Sequence, residues 1–61
     1  MKAIGRFGNY AIFQLTGIRT EYTGRPDEIH PYFIAYDSVH FPIEGKTLEE
    51  VKLAIAEREL R

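Results

Sequence analysis

Gly45-Lys46-Thr47-Leu48-Glu49-Glu50-Val51-Lys52-Leu53-Ala54-Ile55-Ala56 is the stretch that decides the fold, because it holds both the start of an element and its reason for packing. Thr47 brings a hydroxyl that accepts from the free N–H groups of a first helical turn, and Glu50 stands three residues on, the capping-box spacing. Glu49 and Glu50 put negative charge at the positive end of the helix dipole. Leu48, Val51, Ala54 and Ile55 recur at the spacing that makes one apolar stripe. The pattern predicts an amphipathic helix that starts at Thr47 and buries that stripe. A second stripe, Leu53, Ala56 and Leu60, lies about 120–160° away around the helix, where a two-layer domain has nothing to set against it. Arg61, four residues after Glu57, is placed for an ion pair worth about 0.2–0.5 kcal/mol at the helix end.

Upstream, the apolar period changes from that of a helix to that of a strand. Tyr10 to Thr16 is the strongest strand, with Ala11, Phe13 and Leu15 on one face and Tyr10, Ile12 and Gln14 on the other. Both faces carry apolar side chains, which suits a central strand. Lys2 to Arg6 reads as a short edge strand, and Phe7-Gly8-Asn9 as the turn between the two. Gly17 is expected to mark a bulge or bend, because Ile18 to Thr23 resumes an alternating strand pattern. Gly24-Arg25-Pro26-Asp27-Glu28 is a loop, and His30-Pro31 prolongs it, since the residue before a proline avoids the helical region. Tyr32 to Asp37 is a further strand, followed by a turn at Asp37-Ser38 and a short strand at Val39 to Phe41 that Pro42 ends. Glu44-Gly45-Lys46 then connects to the helix. The fold class expected is α+β over residues 1–61 as a single domain: a small antiparallel sheet of three to four strands with one C-terminal amphipathic helix packed on one face.

With 61 residues, such a chain buries only about 60% of its unfolded surface. It has no cysteine, so neither a disulfide nor a Cys-based zinc site supports the core, and the composition fits a reducing cytoplasm. The core must come from apolar packing, for which four Phe and four Tyr supply large areas; self-association is an expected supplement, as a monomer or weak homodimer. Residues 1–18 do not read as a signal peptide, and no apolar run approaches the ~20 residues that span a bilayer, so a soluble cytoplasmic location is expected.

The formal net charge of −1 conceals an asymmetry. Lys2, Arg6, Arg19 and Arg25 face only Glu21 in the first 25 residues, whereas eight acidic residues outnumber Lys46, Lys52, Arg58 and Arg61 in the rest. No run of Lys and Arg exists, which argues against nucleic acid and for a basic protein partner. Asp27, Glu28, Glu44, Glu49 and Glu50 are the candidate acidic contacts, and Leu53 and Leu60 the candidate apolar ones. Solubility and helix capping explain the same carboxylates without a partner.

No constellation of residues names a chemistry. His30 and His40 with Asp27, Glu28 and Asp37 match no metal-ligand spacing, and no metal or other cofactor is expected. Ser38 and His40 sit two apart, but neither an orienting acid nor an oxyanion hole is signalled. Gly5-x-x-Gly8 lacks the rest of a phosphate loop. Tyr10, Tyr22, Tyr32 and Tyr36 with Arg6, Arg19 and Arg25 offer a stacking platform for single-stranded nucleic acid, or simply a half-buried sheet face.

Two resemblances follow from these residues. Phe41-Pro42-Ile43-Glu44-Gly45-Lys46-Thr47-Leu48-Glu49-Glu50-Val51 resembles the strand-to-helix passage of HicB-type antitoxin domains, in which a strand ending near Phe-Pro leads through Gly-x-Thr into an acidic helix start. By overall profile (very short, free of cysteine, aromatic, mildly acidic, without catalytic residues) the chain resembles the anti-CRISPR inhibitors that phages and mobile elements encode. That resemblance implies a non-enzymatic inhibitor in the host-cell cytoplasm. Its acidic surface would bind a CRISPR effector complex, such as a Cascade-type subunit, and block nucleic-acid binding or assembly. A nucleic-acid-binding sheet and a HicB-like antitoxin domain are the alternatives.

Overall fold

The helix that the sequence announces forms as α2, Leu48–Glu59, in a computed structural model that describes residues 1–60. Thr47 is its N-cap, and the Thr47 Oγ1 accepts from the Glu50 N–H at 3.2 Å. The return arm of the capping box lands one residue early: Glu50 Oε2 accepts from the Lys46 N–H at 2.9 Å. The expected Glu57–Arg61 pair lies outside the described residues.

The sheet has four antiparallel strands in the order β1-β2-β3-β4: β1 Lys2–Phe7, β2 Tyr10–Ile18, β3 Ile29–Tyr36 and β4 Ile43–Gly45. The fold is the expected α+β meander with a C-terminal helix, and the strand neighbours are also sequence neighbours, as short connections dictate. β1 and β2 join through Gly8-Asn9, where Gly8 takes a φ of 59° that a side chain would resist. The bulge expected at Gly17 lies elsewhere. Gly17 pairs with His30 in regular register, and the register slips between Ala3 and Gly5 in β1 instead.

Register decides which face is buried. Ile12 pairs with Ala35, and Ala35 with Ile43, so one row of three apolar side chains crosses the sheet beneath the helix. Ile12, Ala35 and Ile43 form the core with Tyr10, Val51 and Ile55, and Phe33, Leu48 and Ala54 pack against it partly buried. Three strands thus meet one helical stripe, Leu48, Val51, Ala54 and Ile55. Gly45 permits the approach: a Cβ there would stand 2.9 Å from the Val51 Cγ2.

Three segments differ from expectation. Ile18 to Thr23 is not a strand. β2 ends at Ile18, opposite Ile29, and the chain turns into the short helix α1, Thr20–Thr23, closed at Gly24. β3 has no residue beyond Ile29 for a longer β2 to pair with, so alternation alone does not make a strand there. His30-Pro31 is not loop but the start of β3, with Pro31 opposite Thr16. β4 reaches only Phe33 to Ala35, so β3 has a single neighbour at Pro31 and the missing N–H is tolerated. Finally, Val39 to Phe41 is not a strand. Asp37 Oδ1 accepts from the Val39 and His40 N–H groups, which curls the backbone away from extension, and the fourth strand forms at Ile43–Gly45, the segment read as a connection.

Candidate functional site

Two surfaces remain after the core is accounted for: the outer side of α2 and the sheet face that α2 leaves open. Leu53 is 63% and Leu60 87% exposed, whereas Val51 and Ile55 on the inner side are fully buried. The second stripe read from the sequence therefore faces solvent. Glu49 is exposed as well, and it shares that outer side with Leu53, four residues on.

The five candidate carboxylates are not alike. Glu44 accepts from Arg19 Nη2 at 3.1 Å and from the Tyr22 hydroxyl at 3.0 Å. Glu28 pairs with Arg25 at 3.5 Å. Glu50 is held in the cap of α2. Among the described residues Asp27 and Glu49 enter no hydrogen bond or ion pair. Glu28 and Arg25 line one cleft with Lys46 and Thr47, so the loop at residues 24–28 is brought to the start of α2. The arrangement there is one of interleaved charges: three of the five acids already have a base or a capping role, and only two present uncompensated charge.

Glu44 anchors a small polar cluster on the open face. The Arg19 guanidinium lies 4.6 Å from the Tyr32 ring centroid, a cation–π contact, while Tyr22 packs 6.4 Å from the same ring. α1 thereby covers the Tyr32 end of the face, and Tyr32 is only 8% exposed. Burial first, and the hydrogen bond to Glu44 second, push the Tyr22 phenol up to about 12.

The four tyrosines do not share a surface. Tyr10 sits under the helix at 2% exposure, where its hydroxyl accepts from Arg58 Nη1 at 3.2 Å. Tyr32 and Tyr36 belong to the opposite face, and Tyr36 meets Phe13 edge-to-face at 5.9 Å. With Arg19 committed to Glu44, no platform of all four tyrosines and the arginines exists.

The segment after β3 holds a feature that sequence reading missed. Asp37 Oδ2 pairs with His40 Nδ1 at 2.7 Å, and Arg58 Nη1 donates to the Phe41 carbonyl at 2.9 Å. Braced from both sides, the loop presents Val39 at 80% and Phe41 at 89% exposure. The signal was Asp37 two and three residues ahead of free N–H groups, which favours a side-chain-closed turn over a strand. The hydrogen bond from His40, then those from the backbone, hold the Asp37 carboxyl well below the usual carboxylate range. No group of three or more His, Cys, Asp or Glu able to hold a metal ion occurs among the described residues. No helix there is long and apolar enough to cross a membrane.

The passage that resembles HicB domains folds as β4 followed by α2, but the strand before it ends at Tyr36, short of Phe41-Pro42. Compared with known proteins, the chain matches no family model, no curated protein and no solved structure.

Proposed function

We propose that the chain is a non-enzymatic inhibitor that binds a protein partner with a basic surface and occludes it, and that the outer side of α2 is the contact. The carrying observation is the exposure of Leu53 and Leu60 on the side of the helix that the core does not use. Glu49 adds a carboxylate on that side that no described residue engages. A helix bearing leucines and an acid fits a partner groove that is apolar at its floor and lined with Lys or Arg at its rim. An effector subunit that normally holds nucleic acid offers such a rim, and filling it prevents nucleic-acid binding without turnover. The anti-CRISPR profile supports the same reading and suggests a CRISPR effector as the partner. Asp27 and Glu28 on the neighbouring loop extend the contact, whereas Glu44 and Glu50 serve the fold first.

The test is competition. A purified Cascade-type effector is titrated with labelled target DNA in the presence of the chain. Displacement of DNA is expected, with the potency falling about tenfold or more in Leu53→Asp and in Glu49→Arg. Equal potency of both variants removes the contact from α2. No displacement by the wild-type chain removes the effector. Direct DNA binding by the chain that collapses with added salt would instead favour the nucleic-acid reading.

A further inference from the structure

β1 is the strand that contributes nothing to the core. All six of its residues, Lys2–Phe7, are exposed, Ile4 and Phe7 included. It pairs with β2 alone, so its outer edge carries backbone N–H and C=O groups that no described residue engages. α2 packs mainly over β3 and β4.

The charge along this edge has one sign. Cross-strand neighbours share a face, so Arg6, opposite Ala11, stands on the open side of the sheet, and Lys2, opposite Gln14, on the side of α2. Lys52 reaches down from α2 and sets its ammonium 5.7 Å from the Phe7 ring centroid. Three bases therefore straddle β1, and among the described residues none of them enters an ion pair. Glu49 lies three residues before Lys52 and pairs with none of them; nor does Glu59, which accepts from the Asn9 N–H at 3.5 Å at the β1–β2 turn. Beside the bases is a hollow of about 110 Å³ lined by Ile4, Gly5, Arg6, Ile12, Leu48 and Lys52, mostly apolar on the side of α2.

We propose that the outer edge of β1 takes an extended acidic segment of a protein partner as a fifth strand. The backbone of the segment pairs with the open edge, its carboxylates meet Arg6, Lys2 and Lys52, and an aliphatic side chain enters the hollow. Charge selects this occupant over a second copy of the chain. β1 carries two bases and no acid, so pairing β1 with β1 sets like charge beside like. The backbone selects a peptide over nucleic acid: a strand edge offers donors and acceptors in alternation, and a phosphate backbone answers only the donors. The slip in register between Ala3 and Gly5 breaks the edge into short regular runs, so a brief segment fits where a long flat strand does not. The outer side of α2 stays free, so this inference goes beyond the proposed inhibitor role and does not rest on it.

The test titrates the isotope-labelled chain with a peptide of about nine residues, Glu alternating with Val, and follows the amide signals. The amides of Lys2–Phe7 should shift with half-saturation below about 1 mM, and their hydrogen exchange should slow. Arg6→Glu and Lys2→Glu should each weaken binding several-fold while the helical circular dichroism is unchanged. Two further peptides, N-methylated on the Glu or on the Val residues, separate strand pairing from charge attraction. One set of N–H groups faces β1 and the other faces away, so one peptide should lose binding and the other keep it. Equal binding of the two methylated peptides overturns the inference, as does equal binding of a peptide with Lys in place of Glu. So does an absence of shifts in β1 at about 1 mM peptide. Shifts of the same amides by a short oligothymidylate and not by the peptide assign the bases to nucleic acid and also overturn it. Should Arg6→Glu or Lys2→Glu unfold, the methylated pair decides alone, because it leaves the chain unaltered.

Discussion

The two faces of the sheet carry similar amounts of apolar side chain and end in different states. On the covered face Ile12, Ala35 and Ile43 are 2%, 0% and 7% exposed. On the open face Phe13 and Ile34, one residue along the same strands, remain half-buried. Strand periodicity creates both faces equally, and only the helix distinguishes them. The face that α2 selects is the one with small residues where the helix must come close, Ala35 and Gly45, and with a tyrosine whose hydroxyl Arg58 can satisfy. Stability therefore resides mainly on one side, and the other keeps its apolar side chains half-buried.

Truncation on the two faces breaks this comparison most directly. Ile55→Ala, at 0% exposure beneath α2, should cost about 2–5 kcal/mol. A chain of 61 residues has about 3–9 kcal/mol in total, so much of the population should unfold. Phe13→Ala removes more atoms yet should cost less than about 2 kcal/mol, since its ring is already partly in water. Urea midpoints of the two variants measure the difference. Equal losses would mean that the open face is covered in solution.

Gly45→Ala probes the same contrast at a single methyl group. The added Cβ would press on the Val51 side chain at 2.9 Å and the Glu50 Cβ at 3.2 Å, and Val51 is fully buried with no room to retreat. A loss of about 1–3 kcal/mol is expected in thermal or urea unfolding. Gly17→Ala is the control on the open face, where the new methyl meets only the Tyr32 ring edge at an ordinary 3.6 Å.

Thr47→Ala should cost about 1 kcal/mol, because the Glu50 N–H loses its partner at the helix start. This cap is also where sequence reading was surest. A capping box and a four-residue stripe are local patterns, set by residues within one or two turns; the stripe appears as written, and so does the Thr47 cap, with the return arm from Glu50 reaching the Lys46 N–H instead of that of Thr47. The sheet was legible in outline for the same reason: β2 and the core of β3 alternate strongly. The errors fall where non-local pairing overrules alternation. Ile18 to Thr23 alternates as well as any strand, but β3 begins only at Ile29, opposite Ile18, and Arg19 and Tyr22 find Glu44 and Tyr32 instead. Ile43–Gly45 is too short to show a period at all and is a strand because Ala35 and Phe33 lie beside it. Of the candidate site, the exposed leucines of α2 were legible, since they are the residues left over from the buried stripe. The internal partner of Glu44 was not, because Arg19 and Glu44 meet across 25 residues of chain.

The smallest effects expected are those of pH, and they take opposite signs on the two polar devices. Tyr22 belongs to the open face, where burial and then Glu44 raise its phenol to about 12. A folded value above the ordinary one near 10 means that the fold favours the protonated phenol. The stabilisation is complete below about pH 10 and drains away as pH climbs toward 12. Tyr22→Phe should flatten that alkaline limb and remove a tyrosine that ionises near pH 12 in an ultraviolet titration. Asp37 braces the loop beyond β3, and its carboxyl is held low, first by the hydrogen bond from His40. Here the fold favours the ionised form, so the contribution is present above about pH 4 and is lost as pH falls through the depressed value. Asp37→Asn should therefore flatten the acid limb and leave the alkaline one untouched, with Val39 and Phe41 amides exchanging faster once the brace is gone. A Tyr22 variant that altered the acid limb instead would mean that the two devices are coupled across the sheet, and that the faces are less independent than their contacts indicate.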